Sequence, residues 1–161
     1  MRFDRAFLTS HVAHLLAFGF GAGLMLKAPG TWGTLVAVPI FAVAQLAGVG
    51  GVLAVAMVTF LAGIWAVEVC GRALGVADHG GIVIDEIAAF LLVLAFSPRG
   101  WLWWALAFAL FRAFDIVKPW PIRYADRHIK GGFGVMFDDV LAAAYTIAVL
   151  LFLRSISPSF G

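Results

Sequence analysis

Apolar residues fall into long runs along this chain, and the polar residues gather in the gaps between them. Five runs are apolar enough to span or nearly span a bilayer: residues 34–47, 52–69, 82–96, 101–117 and 135–153. Some fall short of the ~20 residues a spanning helix usually needs, which predicts a thin bundle with its ends in the headgroup region. The gaps are of two kinds. "GVGG" (48–51) and "SPRG" (97–100) read as tight turns between antiparallel helices. "MLKAPGTWG", "CGRALGVADHGG" and "KPWPIRYADRHIKGGFG" are longer and polar. Because the chain reverses at each turn, the short turns share one membrane face and the long loops share the other.

Composition favours a membrane over a soluble core. The chain is 63% apolar and 12% charged, with a mean hydropathy of +1.03, against about 45–50% and about 25% for soluble domains. Its 161 residues suit a single domain over 1–161, and no internal repeat is visible. A net charge of +2 is too small to argue for nucleic acid, and nothing in the sequence points to a protein partner or an oligomeric state. The single cysteine, Cys70, excludes an internal disulfide and a cysteine-rich metal cage.

The distribution of charge gives orientation. The long loops carry Lys27, Arg72, Lys118, Arg123, Arg127 and Lys130, and the opposite face only Arg99 and Arg154. Excess Lys and Arg mark the cytoplasmic side. Arg2 and Arg5 should stay there too, so residues 6–26 are expected to lie in the interface or re-enter rather than cross. A cleaved signal peptide is rejected, because His11 and His14 interrupt the apolar stretch and no small-residue cleavage site follows. Both histidines are expected on the polar side of this segment. The expected fold class is all-α: an integral membrane helical bundle of about five short spanning helices plus that N-terminal segment.

Acids inside such a bundle need a reason. Asp85 and Glu86 open one apolar run, and Asp138 and Asp139 open the last. Acids in a first turn complement the helix dipole, worth about 0.3–1 kcal/mol, so one pair alone is explained by local structure. Two pairs on the same face repel, and need a cation or proton between them. Asp115 lies in a last turn, where the dipole disfavours it, with Arg112 three residues earlier and able to pair. These five carboxylates should converge near one surface, with Asp78 just outside. An all-oxygen set suits Mg²⁺, which takes one or two carboxylates plus phosphate oxygens. Helix neighbours point about 100° apart, so one member of each pair should be a ligand and the other a supporting group. Lys27, Arg112, Lys118 and Arg123 offer the charge that a phosphate ester would need. Lys118 precedes Pro119, which should end its helix, and Trp120 should anchor the turn at the headgroups.

The glycine-rich stretch "GFGAGLMLKAPGTWGT" reads two ways. Its backbone amides, with Lys27 and Thr31, could approach an anion. Gly19 and Gly23 equally make a spacing for close helix packing. His79 and His128 offer acid–base groups, although interfacial polar roles are commoner; His79 is kept among the phosphate-binding candidates.

The segments "KAPGTWGT", "DHGGIVIDE", "FRAFDIVKPWPIR" and "GGFGVMFDDV", in this order and spacing, resemble the phosphatidylglycerophosphatase A family over about residues 19–145. The resemblance implies a small multi-pass protein of the bacterial inner membrane with its site facing the cytoplasm. It implies a Mg²⁺-dependent phosphoric monoester hydrolase of phospholipid biosynthesis, removing the terminal phosphate of phosphatidylglycerophosphate to leave phosphatidylglycerol. It also implies catalytic roles for Asp85, Glu86, Asp115, Asp138 and Asp139. The candidate metal set is the same residues, with Asp78 added for its position just outside them. The matching polar and basic positions are Lys27, Thr31, Arg112 and Lys118; Arg123 and His79 join them as phosphate-binding candidates by position and chemistry rather than by resemblance. Three small positions depart from the family pattern: Ala22, Ala89 and Ala143, where serine or glycine is usual.

Other chemistries lack their signatures. "CGRALGV" has no arginine for a Cys-x5-Arg phosphatase, and D-x-D-x-T and S-G-H segments are missing. So is the D-x2-D-G-x2-A-R of a phosphatidyltransferase. The nucleophile is then either an activated water or an aspartate attacking directly. The rival from another class is a small cation transporter or channel with a carboxylate-lined path, which would need acids near the midplane or on both faces.

Overall fold

A computed structural model describes residues 5–76 and 79–156, and the regular structure among them is entirely helical. Eight α-helices follow in order: α1 (Arg5–Thr9), α2 (Val12–Ala17), α3 (Pro29–Ala44), α4 (Gly48–Leu74), α5 (Ile84–Phe96), α6 (Trp101–Val117), α7 (Ile122–His128) and α8 (Gly131–Ile156). Short 3₁₀ turns at Gly19–Leu24 and Gln45–Ala47 precede α3 and α4.

The five apolar runs correspond to α3, α4, α5, α6 and α8, but glycine and proline mislead at their starts. α3 begins at Pro29 rather than at 34, because proline at the first helical position gives up no hydrogen bond and is preset in φ. α8 likewise begins at Gly131 rather than at 135. "GVGG" is not a turn but the opening of α4. The reversal is the 3₁₀ turn before it, ended by Gly48 at φ 74° and ψ −173°, a backbone that favours glycine.

The 13-residue α5 lies at the centre. Ile84 through Leu91, Val93 and Leu94 are all buried, since α3, α4 and α8 pack around the helix and α6 touches it more lightly. A helix apolar all round belongs inside a bundle, where no face needs to be polar. Phe41, Phe90, Phe111 and Leu150 fill the core around it, and Phe18, Cys70, Ile82 and Met136 form a second core towards the N-terminus. Outward faces stay apolar, with Met57, Val58, Leu61, Leu106, Leu151 and Phe152 exposed. Such broad apolar surface is rare on a soluble monomer. Two helical stretches are long and apolar enough to cross a membrane, Pro29–Leu74 and Gly131–Ile156.

Residues 5–24 form no long helix, only α1, α2 and the first 3₁₀ turn. His11 caps α2 and is exposed, accepting from the Ala13 N–H at 3.0 Å. His14 corrects an expectation: it is buried rather than on the polar side. Its ring stacks on Phe7, and Nδ1 lies 3.0 Å from Ser10 Oγ and 3.1 Å from the Phe7 carbonyl. Those partners satisfy one nitrogen inside an apolar pocket.

The start of α8 is held by a residue outside the motifs. Glu68 Oε1, near the end of α4, accepts from the Gly132 N–H at 2.7 Å, satisfying an N–H that has no partner within the helix. Glu68→Ala should therefore lower unfolding stability by about 1 kcal/mol, as loss of a helix cap usually does, measured by thermal melting in detergent.

Candidate functional site

The buried acids gather where the first turn of α5 meets α8. Asp85 and Glu86 occupy that first turn. Asp139 lies eight residues into α8, about 12 Å along its axis. One carboxylate oxygen from each of Asp85, Glu86 and Asp139 lies within 4.8 Å of the others. Asp139 is 3% exposed, and Glu86 Oε2 and Asp139 Oδ2 are buried without a hydrogen-bond partner. Asp115 also lies close enough for its charge to act on Asp139. Carboxylates this close cannot all stay ionised unless a cation or proton lies among them.

Two basic residues border the acids. Arg112 Nη1 donates to Glu86 Oε1 at 3.3 Å and forms an ion pair with Asp115 Oδ2 at 2.6 Å. Lys118 Nζ donates to Asp126 Oδ1 at 2.8 Å and to Asp138 Oδ2. Burial alone would pull the Lys118 ammonium down, but Asp126 and Asp138 outweigh it and hold it above the usual lysine range. A raised folded pKa means Lys118 contributes its full stabilisation below its unfolded value of about 10.4 and loses it only at still higher pH. Across neutral pH it is a fixed positive charge. The backbone serves this placement: Lys118 ends α6 in the left-handed region at φ 46°, not in the extended form that a residue before proline favours.

The acidic pairs divide differently in the two helices. In α8, Asp139 enters the cluster and Asp138 turns to Lys118. In α5 both carboxylates reach the cluster, because the extra methylene of Glu86 lets it swing back beside Asp85. Five carboxylates thus stand against two cations, one of them shared with Asp126.

The start of α3 closes the site. Gly30 is buried, and a Cβ there would lie 2.0 Å from Glu86 Oε1 and 2.9 Å from Arg112 Nη2. Only a residue with no side chain lets this helix end sit against the ion pair, where its dipole favours negative charge. Clustered oxygens, orphaned buried carboxylate atoms and an excess of negative charge together fit a hard divalent cation such as Mg²⁺.

Other candidates lie farther out. Thr31 is half-buried in the first turn of α3, so its segment is helical rather than a glycine-rich loop. Lys27 is exposed ahead of that helix. His79 accepts from the Gly81 N–H at 3.0 Å and faces Phe18. Arg123 is exposed and donates to the Val117 carbonyl at 3.2 Å, with no carboxylate partner among the described residues. His128 is exposed and stacked on Tyr124. Asp78 lies outside the described residues. Sequence reasoning missed Asp126, Glu68 and Gly30. Only the proximity of Asp126 to "KPWPIR" could have flagged any of them.

All seven described acidic residues are at this end of the bundle, since Glu68 joins through Gly132 and Asp126 through Lys118. Comparison with known proteins agrees with the motif pattern. The family model described as Phosphatidylglycerophosphatase A matches residues 15–154. A Haemophilus influenzae protein named Phosphatidylglycerophosphatase A is 48% identical over 139 residues, covering 85% of each chain. An Escherichia coli protein of the same name is 38% identical over 141 residues, covering 87% of this chain and 82% of its own. A Bacteroides thetaiotaomicron protein with the provisional name phosphatidylinositol-3-phosphatase is 37% identical over 148 residues, covering 87% and 92%. No solved structure matches significantly.

Proposed function

The chain belongs to the phosphatidylglycerophosphatase A family, and we propose that it hydrolyses the terminal phosphate monoester of phosphatidylglycerophosphate to phosphatidylglycerol and inorganic phosphate. The observation that carries this reading is the meeting of Asp85, Glu86 and Asp139 within 4.8 Å, bordered by Arg112 and Lys118. The substrate follows from the names of the Haemophilus influenzae and Escherichia coli relatives.

In this reading Asp85, Glu86 and Asp139 hold Mg²⁺. When bound, the ion neutralises phosphate oxygens and acts as a Lewis acid on the monoester. Arg112, kept in place by Asp115, presents its guanidinium to the phosphate, and Lys118, kept in place by Asp138 and Asp126, adds a fixed charge. The start of α3 at Gly30 and Thr31 adds the positive end of a 16-residue helix dipole. Carboxylate oxygens such as Glu86 Oε2 and Asp139 Oδ2 are available to take a proton from an attacking water.

The helices α3, α4, α5, α6 and α8 would span the membrane as a bundle, with residues 5–24 in the interface. The acidic end would face the cytoplasm, following the excess of Lys and Arg in the long loops. A lipid whose phosphate lies at the headgroup level reaches such a site without leaving the bilayer. A carboxylate-lined ion path is not supported, because the described acids stop at one end of the bundle. The test is direct. Purified protein in detergent should release phosphate from phosphatidylglycerophosphate with Mg²⁺ and stop with EDTA. No release with any divalent ion would end the enzyme reading.

A further inference from the structure

Beside the acidic cluster, on the far side of Lys118, lies a basic pocket of about 330 Å³ between the end of α6 and α7. Lys118, Arg123, Arg127 and His128 line it, with Tyr124 and Trp120, and no carboxylate does. Arg123 and Arg127 are i and i+4 on α7 and so share a face. Neither forms an ion pair among the described residues. Like charges at this spacing cost a helix about 0.2–0.5 kcal/mol. The dipole of α7 explains Arg127, in the last turn, but disfavours Arg123, in the first. Asp126, on the same helix, is committed to Lys118 instead of to either arginine. The pocket opens beside Trp120, 79% exposed, and Val117, 61% exposed, a pairing suited to the membrane interface.

This positive pocket shares Lys118 with the acidic cluster: the ammonium lines one and donates to Asp138 in the other. A lipid with a single phosphate would need only the cluster. Phosphatidylglycerophosphate carries two, a monoester that is cleaved and a phosphodiester that is kept. Resting on the proposed activity, we infer that the Arg123–Arg127 pocket holds the substrate's phosphodiester, and so selects lipids with an anionic diester next to the scissile monoester. Zwitterionic headgroups are disfavoured there, because they would bring a second cation against the guanidinium groups.

Two measurements test this. In neutral detergent micelles, added phosphatidylglycerol should raise the Tm of the wild-type protein by a few degrees relative to phosphatidylcholine, as any ligand of the folded state does. Arg123→Gln/Arg127→Gln should abolish that difference, and Arg123→Lys/Arg127→Lys should keep about half of it. In turnover, the glutamine variant should raise KM for phosphatidylglycerophosphate about tenfold with kcat within about twofold. An undiminished Tm difference in the glutamine variant, or a fall in kcat at constant KM, would overturn the assignment. So would equal stabilisation by inorganic phosphate that is likewise lost in the glutamine variant, which would make the pocket a free-phosphate site. If wild-type protein cleaves no lipid, the phosphatase reading fails, and the Tm comparison still decides the pocket.

Discussion

Asp139→Asn should reduce phosphate release by on the order of 10³-fold while the protein melts at the same temperature or higher. The two effects share a cause. Asp139 is buried among Asp85, Glu86 and Asp115, with Oδ2 unpartnered. An ionised carboxylate so placed costs several kcal/mol of folding free energy. Asparagine keeps the shape and removes the charge, so the apo protein loses repulsion while the site loses a ligand for its cation. Activity within about tenfold of wild type at saturating Mg²⁺ would remove Asp139 from the site. Asp138→Asn makes the contrast, because it takes from Lys118 one of its two partners. Loss of activity there should come with a lower Tm, since breaking a buried pair strands a charge.

The second large effect is expected from the smallest change. Gly→Ala in a helix usually stabilises by up to about 1 kcal/mol. At Gly30 the new methyl would sit 2.0 Å from Glu86 Oε1. The carboxylate is the end of a flexible side chain, so it swings aside and the fold survives. The site then loses its Glu86–Arg112 geometry, and a displacement of this size costs about 10²-fold in rate. Gly30→Ala should therefore lower kcat about a hundredfold with only a small change in Tm, the helix gain offsetting the weakened Glu86–Arg112 pair while Arg112 keeps Asp115. Shortening the displaced side chain in Gly30→Ala/Glu86→Asp should restore part of that rate. Wild-type kcat in Gly30→Ala would mean that the position of Glu86 does not matter.

Much of the helical layout was legible in the sequence, because runs such as 101–117 are bounded by residues that end helices on both sides. The starts of α3 and α8 were not, because Pro29 and Gly131 punctuate a sequence whether they lie before a helix or open it. His14 failed for a different reason. A polar side chain can be buried once local partners satisfy it, and those partners exist only after the chain has folded back on Phe7 and Ser10. For the acids, the shared face followed from the alternation of short and long gaps, and the helix-end position held for Asp85 and Glu86; Asp138 and Asp139 instead lie about two turns inside α8, because that helix starts at Gly131. What stayed hidden was pairing: that Asp138 turns to Lys118, that Asp126 completes it, and that Gly30 makes room for Glu86. Such choices depend on rotation and approach between helices, which carry no periodic signal.

The length of α5 has a consequence for the surrounding lipid. Thirteen residues make a helix of about 20 Å, against a hydrocarbon layer of about 30 Å. In the proposed membrane bundle, with the far end of α5 near one surface, the end bearing Asp85 and Glu86 would stop well short of the other. The longer α4 and α8 would then rise past it as walls around a depression, and water must follow the headgroup down into it. Hydrophobic mismatch at this one helix would couple turnover to bilayer thickness. A thinner leaflet brings the scissile phosphate down to the carboxylates, whereas a thicker one holds it above them.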